Sequence, residues 1–140
     1  AIERSQINLE TSGLLALSCT HTTNGDIFLV FGRCGLLQLA KVENDLPSVV
    51  HTSPSTDTGG TPTWFTAFAW HNGILAAGTS GGGVRLYRLN ADVRSLEHLS
   101  TLAQPLSVAT VNCLRWSSDG KYLAVAFGLR VAVFTLLAAD

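Results

Sequence analysis

Hydrophobic positions along the chain fall in short, near-continuous runs separated by turns, and no window carries a helical stripe. Val111 to Trp116 is rich in apolar residues and ends at Ser117-Ser118-Asp119-Gly120, a hairpin turn in which glycine can take positive φ. Lys121 to Phe127 resumes as a predicted strand, Gly128-Leu129 turns, and Arg130 to Leu137 is another strand. The same plan stands earlier in the chain. Thr66 to Trp70 is followed by a turn at His71-Asn72-Gly73, then Ile74 to Thr79, a Gly81-Gly82-Gly83 turn, and Val84 to Leu89. Runs that stay apolar without alternating are those of strands buried on both faces. The pattern predicts an all-β protein.

These predicted strands recur as a unit. Ile27 to Val42 lies without a gap over Ile74 to Leu89, 47 residues on, and Val84 to Leu89 falls on Val131 to Leu136 at the same spacing. Phe68-Ala69-Trp70 matches Leu114-Arg115-Trp116, 46 residues on. A unit of this size cannot bury its apolar faces alone, so neighbouring units must stack. The chain then divides into a strand or lead-in at 1–11, a first repeat at 12–52, a loop at 53–63, a second repeat at 64–107 and an incomplete third at 108–140. Ser53 to Thr63, built of Ser, Thr, Pro, Gly and Asp, is too polar to pack and is expected as an exposed, mobile surface loop.

Two stretches carry the repeat most fully. They are Trp116-Ser117-Ser118-Asp119-Gly120-Lys121-Tyr122-Leu123-Ala124, and Ala76-Ala77-Gly78-Thr79-Ser80 leading to Val84-Arg85-Leu86-Tyr87. Strand, Asp-Gly or Asn-Gly turn, small-rich strand, Gly-rich turn and aromatic-bearing strand follow in an order that resembles the WD-repeat unit of β-propellers, whose period is ~40–45 residues. The resemblance covers about residues 12–137 and is degenerate. The Trp-Asp pair that names the family is replaced by Tyr87-Arg88, by Phe134-Thr135 and, in the first unit, by Ala40-Lys41. No Gly-His pair opens a unit, and Gly81 stands where the family usually has an Asp. The resemblance implies an all-β partial β-propeller of three four-stranded antiparallel blades, packed by apolar contacts rather than by the family's buried hydrogen-bond network. A β-sandwich of short strands is the alternative.

Composition narrows what such a fold can do. Hydrophobic residues make up 46% of 140 and charged residues only 14%, with a mean hydropathy of +0.29, which excludes a largely disordered chain. The longest apolar stretches, Leu123 to Phe127 and Val131 to Ala139, fall far short of the ~20 residues of a membrane-spanning helix. Ala1 to Glu10 lacks the apolar core of a signal peptide. Net charge is −1, with 9 basic against 10 acidic residues and only Lys41 and Lys121 as lysines. That leaves no basic footprint for nucleic acid. Cys19, Cys34 and Cys113 are odd in number and widely spaced, so they are expected as buried free thiols in a reducing, intracellular setting, cytoplasmic or nuclear.

Catalytic chemistry finds little support. The run Gly78 to Gly83 lacks the Gly-Lys-Ser/Thr and the following helix of a phosphate cradle. Cys19-Thr20-His21 has no second ligand pair at zinc-site spacing, and no Gly-x-Ser-x-Gly elbow or paired carboxylates occur. No enzyme activity, cofactor or metal is expected. Trp70 and Trp116 hold equivalent repeat positions and are expected in the core, whereas Trp64 stands outside the repeat pattern.

The reading is a non-catalytic protein–protein interaction module, a scaffold or subunit of a larger complex. By analogy with propellers, partners dock on the turns between second and third strands and the loops before each first strand. The partner-binding candidates are Arg33, Trp64, Ser80 and Arg130, beside the Ser53 to Thr63 loop, whose Ser53-Pro54 and Thr61-Pro62 could accept phosphate. The alternative is a small-ligand-binding or enzymatic propeller using the central channel, for which only Asn112 and Arg115 are suitable inward polar residues. Closed propellers need four to eight blades, so three must be completed from outside. Either the chain is a piece of a longer propeller, which its lack of methionine and abrupt end favour, or a partner subunit or second copy closes the ring. In the latter case each copy would lend Ile2 to Leu9 to the other's third blade.

Overall fold

The computed structural model describes residues 14–33, 36–53, 64–102 and 109–136. Three antiparallel sheets are formed among them. The first holds β1 (Leu14–His21), β2 (Ile27–Arg33), β3 (Leu36–Glu43) and β4 (Leu46–Ser53) in chain order. The second holds β5 (Phe65–His71), β6 (Ile74–Thr79), β7 (Val84–Asn90) and β8 (Ser95–Leu102) in the same order. The third holds β9 (Val111–Trp116), β10 (Tyr122–Phe127) and β11 (Arg130–Thr135), with no fourth strand among the described residues. The expected all-β, three-bladed architecture is therefore present, with three strands of the third blade among the described residues. Ile2 to Leu9 and residues 54–63 lie outside the described residues.

Short turns make each sheet a meander. Asn72 and Gly73 both have positive φ, 45° and 78°, the two-residue turn whose twist matches flanking antiparallel strands. Asn44 and Asp45, at 51° and 63°, do the same between β3 and β4.

The innermost strands share an irregularity that aligns the repeats. Register slips between Leu14 and Ala16 in β1, between Phe65 and Ala67 in β5, and between Val111 and Cys113 in β9. Each slip is a bulge of one residue: Leu15, Thr66 and Asn112. Counting on from the bulges, Ala16, Ala67 and Cys113 are equivalent, as are Ser18, Ala69 and Arg115, and then Cys19, Trp70 and Trp116. In the second strands Gly32 matches Gly78, 46 residues on. The ungapped 47-residue match is thereby corrected by one residue, because the β6–β7 turn is a residue longer than the β2–β3 turn.

Blades stack face to face, with β1 beside β5 and β5 beside β9. Between the first two blades the core contains Phe28, Val30, Leu37 and Leu39 from one side and Phe65, Leu75, Ala77 and Tyr87 from the other. Between the second and third, Ala76, Val84 and Leu86 meet Val111, Leu114, Leu123, Val125 and Phe127. Gly32 and Gly78 make these approaches possible: a Cβ at Gly32 would overlap Phe65, and one at Gly78 would overlap Val111. Trp70 and Trp116 pack against the two cores at equivalent positions but are half-buried rather than enclosed. Both sit on innermost strands and line the open trough that these strands form.

Candidate interaction face

The meander order sends the turns between second and third strands, and the entries to β1, β5 and β9, to one end of the blades. The sequence candidates gather at that end. Trp64 and Ser80 are joined by two hydrogen bonds: the Trp64 N–H donates to Ser80 Oγ at 3.0 Å, and the Ser80 N–H donates to the Trp64 carbonyl at 2.8 Å. The Ser80 carbonyl accepts from the Thr110 hydroxyl of the next blade at 3.2 Å. One residue further in, the Thr66 hydroxyl donates to the Val111 carbonyl at 2.6 Å. The turn after Ser80 is pinned by the Gly83 N–H, which donates to Thr79 Oγ1 at 3.1 Å. Two blades thus share one hydrogen-bonded rim, and Trp64 rests half-buried on it.

Arg130 opens β11 at the corresponding turn of the third blade, and Arg33 closes β2 at that of the first. Leu129, beside Arg130, is fully exposed at 106%. The sequence places the Leu129-Arg130 turn on this face but singles out only Arg130, because the exposure of Leu129 shows only in the fold. Ser53, expected as the start of an exposed loop, instead ends β4 and is buried.

At the opposite end the blades are braced differently. His71, expected in a turn, is the last residue of β5, and its ring packs on Trp116 in a tilted arrangement with centroids 5.9 Å apart. Trp116 Nε1–H donates to the Ala69 carbonyl at 3.0 Å. Lys41 reaches Glu43 at 3.2 Å and Asp26 at 3.8 Å, while Arg94 from the second blade pairs with Glu43 at 2.6 Å. The Trp116 contacts and the Arg94–Glu43 pair tie blades together, and their partners are far apart in sequence, so no local signal marks them.

Along the inside, β1, β5 and β9 line an open trough of about 780 Å³ that includes Ser18, Cys19, Asn112, Cys113 and Arg115. The expected burial of the thiols is corrected here: Cys19 and Cys113 are both exposed. Each lies on an innermost strand, Cys19 on the face of the first blade turned away from the second, and Cys113 on the face of the third blade turned away from the second. Cys34 lies outside the described residues. Among the described residues no three His, Cys, Asp or Glu side chains converge as a metal site requires, and no helix is long and apolar enough to cross a membrane.

Comparison with known proteins agrees with this geometry. The family model of the anaphase-promoting complex subunit 4 WD40 domain matches residues 66–130, the second blade and most of the third. The fold is that of WD40 repeats. A structure of U3-55K superposes with a TM-score of 0.60 at 21% identity, over 78% of this chain and 39% of that one. The WD40 repeats of RRP9 superpose at 0.56 with 23% identity, over 72% of this chain and 32% of that one. The chain thus spans about a third to two-fifths of the length of these WD40 structures. No curated protein matches its sequence.

Proposed function

We propose that the chain is a non-catalytic protein-interaction module, a scaffold or subunit of a larger assembly, whose partner docks on the turn-bearing end of its WD40 blades. The observation that carries this reading is the rim joining Trp64, Ser80 and Thr110 across two blades. The N–H and carbonyl groups of Trp64 and Ser80 are already hydrogen-bonded, which holds this turn in place. Such a surface can bind with little ordering cost. A half-buried tryptophan, a fully exposed Leu129 and the exposed Arg130 present the apolar and cationic side chains that anchor protein interfaces. The matching family model is named for a complex subunit, which supports the same class of role. The exposed free thiols Cys19 and Cys113 support a reducing, intracellular setting.

Affinity capture with the chain as bait tests this. The double substitution Leu129→Asp with Arg130→Glu is expected to abolish recovery of the partner while leaving the unfolding midpoint within about 2 °C, because both side chains are exposed. Undiminished capture by that variant overturns the docking face. Stabilisation of the wild-type chain by several degrees with a small metabolite would instead favour a ligand in the trough.

A further inference from the structure

Two Asn-Gly pairs stand in turns at the end of the blades opposite the hydrogen-bonded rim. Asn24-Gly25 lies between β1 and β2, and Asn72-Gly73 between β5 and β6. Such a pair can react with itself. The glycine nitrogen sits within one residue of the asparagine side-chain carbonyl, and the missing Cβ leaves its approach unhindered. Both asparagines are exposed, and at both glycines the space that a Cβ would fill is empty within 4 Å. By sequence and exposure the two sites are equal. The fold separates them.

In the first turn the attacking nitrogen is already committed. The Gly25 N–H donates to the Thr22 carbonyl at 2.9 Å. The same turn is closed by the Thr22 N–H on the Asp26 carbonyl at 2.8 Å and by the Asp26 N–H on Thr22 Oγ1 at 3.1 Å. In the second turn the Gly73 carbonyl accepts from the Leu89 N–H at 2.8 Å, but the Gly73 N–H has no backbone acceptor among the described residues. The leaving group also has a neighbour there. Asn72 Nδ2 lies 3.3 Å from His71 Nε2, and Asn24 has no such partner among the described residues. The next blade holds that imidazole in place, since it packs on Trp116 and lies where a Cβ at Gly120 would meet it.

We propose that Asn72 is a site of spontaneous deamidation, with His71 assisting the departure of ammonia. The Gly73 nitrogen gives its proton to water and bonds to Asn72 Cγ, and the bond from Cγ to Nδ2 breaks. His71 in its Nε2–H form passes a proton to Nδ2, which leaves as ammonia, and the imidazole regains a proton from water. Nothing is oxidised or reduced. The resulting succinimide takes up a water molecule and opens at either of its two carbonyls, to aspartate or isoaspartate. Each product adds a negative charge beside a cleft of about 370 Å³ between the first two blades, which Asn72 lines with His21, Thr22 and Leu89. Isoaspartate also lengthens the main chain inside a two-residue turn whose φ values of 45° and 78° fit its strands, and so strains the Gly73–Leu89 bond. The reacting groups all belong to the second blade, so the inference holds for any number of blades in the complete ring. It is independent of the partner proposed for the turn-bearing end.

Peptide mapping by mass spectrometry tests this on the purified chain held at neutral pH. The fragment containing Asn72 is expected to gain about 1 Da with time and to become a substrate for isoaspartyl methylation. The fragment containing Asn24 should do so about fivefold more slowly, the factor that one net hydrogen bond is worth. In urea the two sites should react at similar rates, because the difference belongs to the fold. His71→Phe keeps a ring against Trp116 and should slow the reaction at Asn72 by about tenfold, below the usual range of general acid catalysis because the contact is long. The Asn24 rate in the same sample reports any loosening of the fold, and it should not change. Asn24 reacting as fast as Asn72 in the folded chain overturns the proposal. So does an Asn72 that stays intact over the time in which the urea-unfolded chain reacts. An undiminished rate in His71→Phe overturns the part assigned to the imidazole.

Discussion

Trp70 and Trp116 stand at one repeat position, yet their indole nitrogens meet different fates. Trp116 Nε1–H reaches the Ala69 carbonyl, while Trp70 Nε1 is buried without a hydrogen-bond partner among the described residues. Trp116→Phe should therefore cost about 1 kcal/mol more than Trp70→Phe in a urea titration, the worth of one net hydrogen bond. Equal losses would contradict the assignment. Trp116→Ala should cost about 3 kcal/mol, the low end for aromatic truncation, because the ring is only half-buried. Asp119 is the other residue with a distinct expectation. The Ser117 hydroxyl and then the Lys121 N–H donate to its carboxylate, and with the Lys121 charge they hold its pKa below 3.8. An acid depressed on folding stabilises above its unfolded pKa and loses that contribution as pH falls through the lower folded value. An NMR titration should place the Asp119 midpoint below 3.8, and Ser117→Ala should raise it. The Trp repeat and the Asp-Gly turn were legible in the sequence. The Ala69 partner was not, since it lies 47 residues from Trp116 and belongs to another blade.

Between neighbouring strands, the close approaches at Gly32 and Gly78 decide how tightly blades nest. Gly78→Ala would drive a methyl into Val111, a buried β-branched side chain with no room to turn, and should cost about 1–3 kcal/mol as overpacking. The equivalent Ala126 faces no following blade among the described residues, so Ala126→Gly should cost only about 0.5–1 kcal/mol of strand entropy. A Gly78→Ala variant as stable as the parent in denaturant would refute the nesting. At this scale the sequence showed where strands and turns fall, because near-continuous apolar runs and positive-φ turn residues are local signals. It did not show the bulges at Leu15, Thr66 and Asn112, because an extra residue in a strand leaves no mark until its partner strand is in place.

Across the whole molecule, the blades stack through two apolar cores. Strand content, turn chemistry and the threefold repeat were readable from order alone, since each arises within a few residues and recurs at a near-constant spacing. That was enough for an all-β propeller of three blades and for the turn-bearing end that holds Trp64, Ser80 and Arg130. Which face each strand residue occupies was settled only in three dimensions. A shift of one residue turns a strand's side chains to the opposite face, and the bulges and unequal turns introduce such shifts in every blade. That is why Cys19 and Cys113, expected in the core, lie exposed along the trough. It is also why Arg115 and Cys19, unremarkable in sequence, hold the positions that blades elsewhere in the arc fill with alanine or serine and with tryptophan.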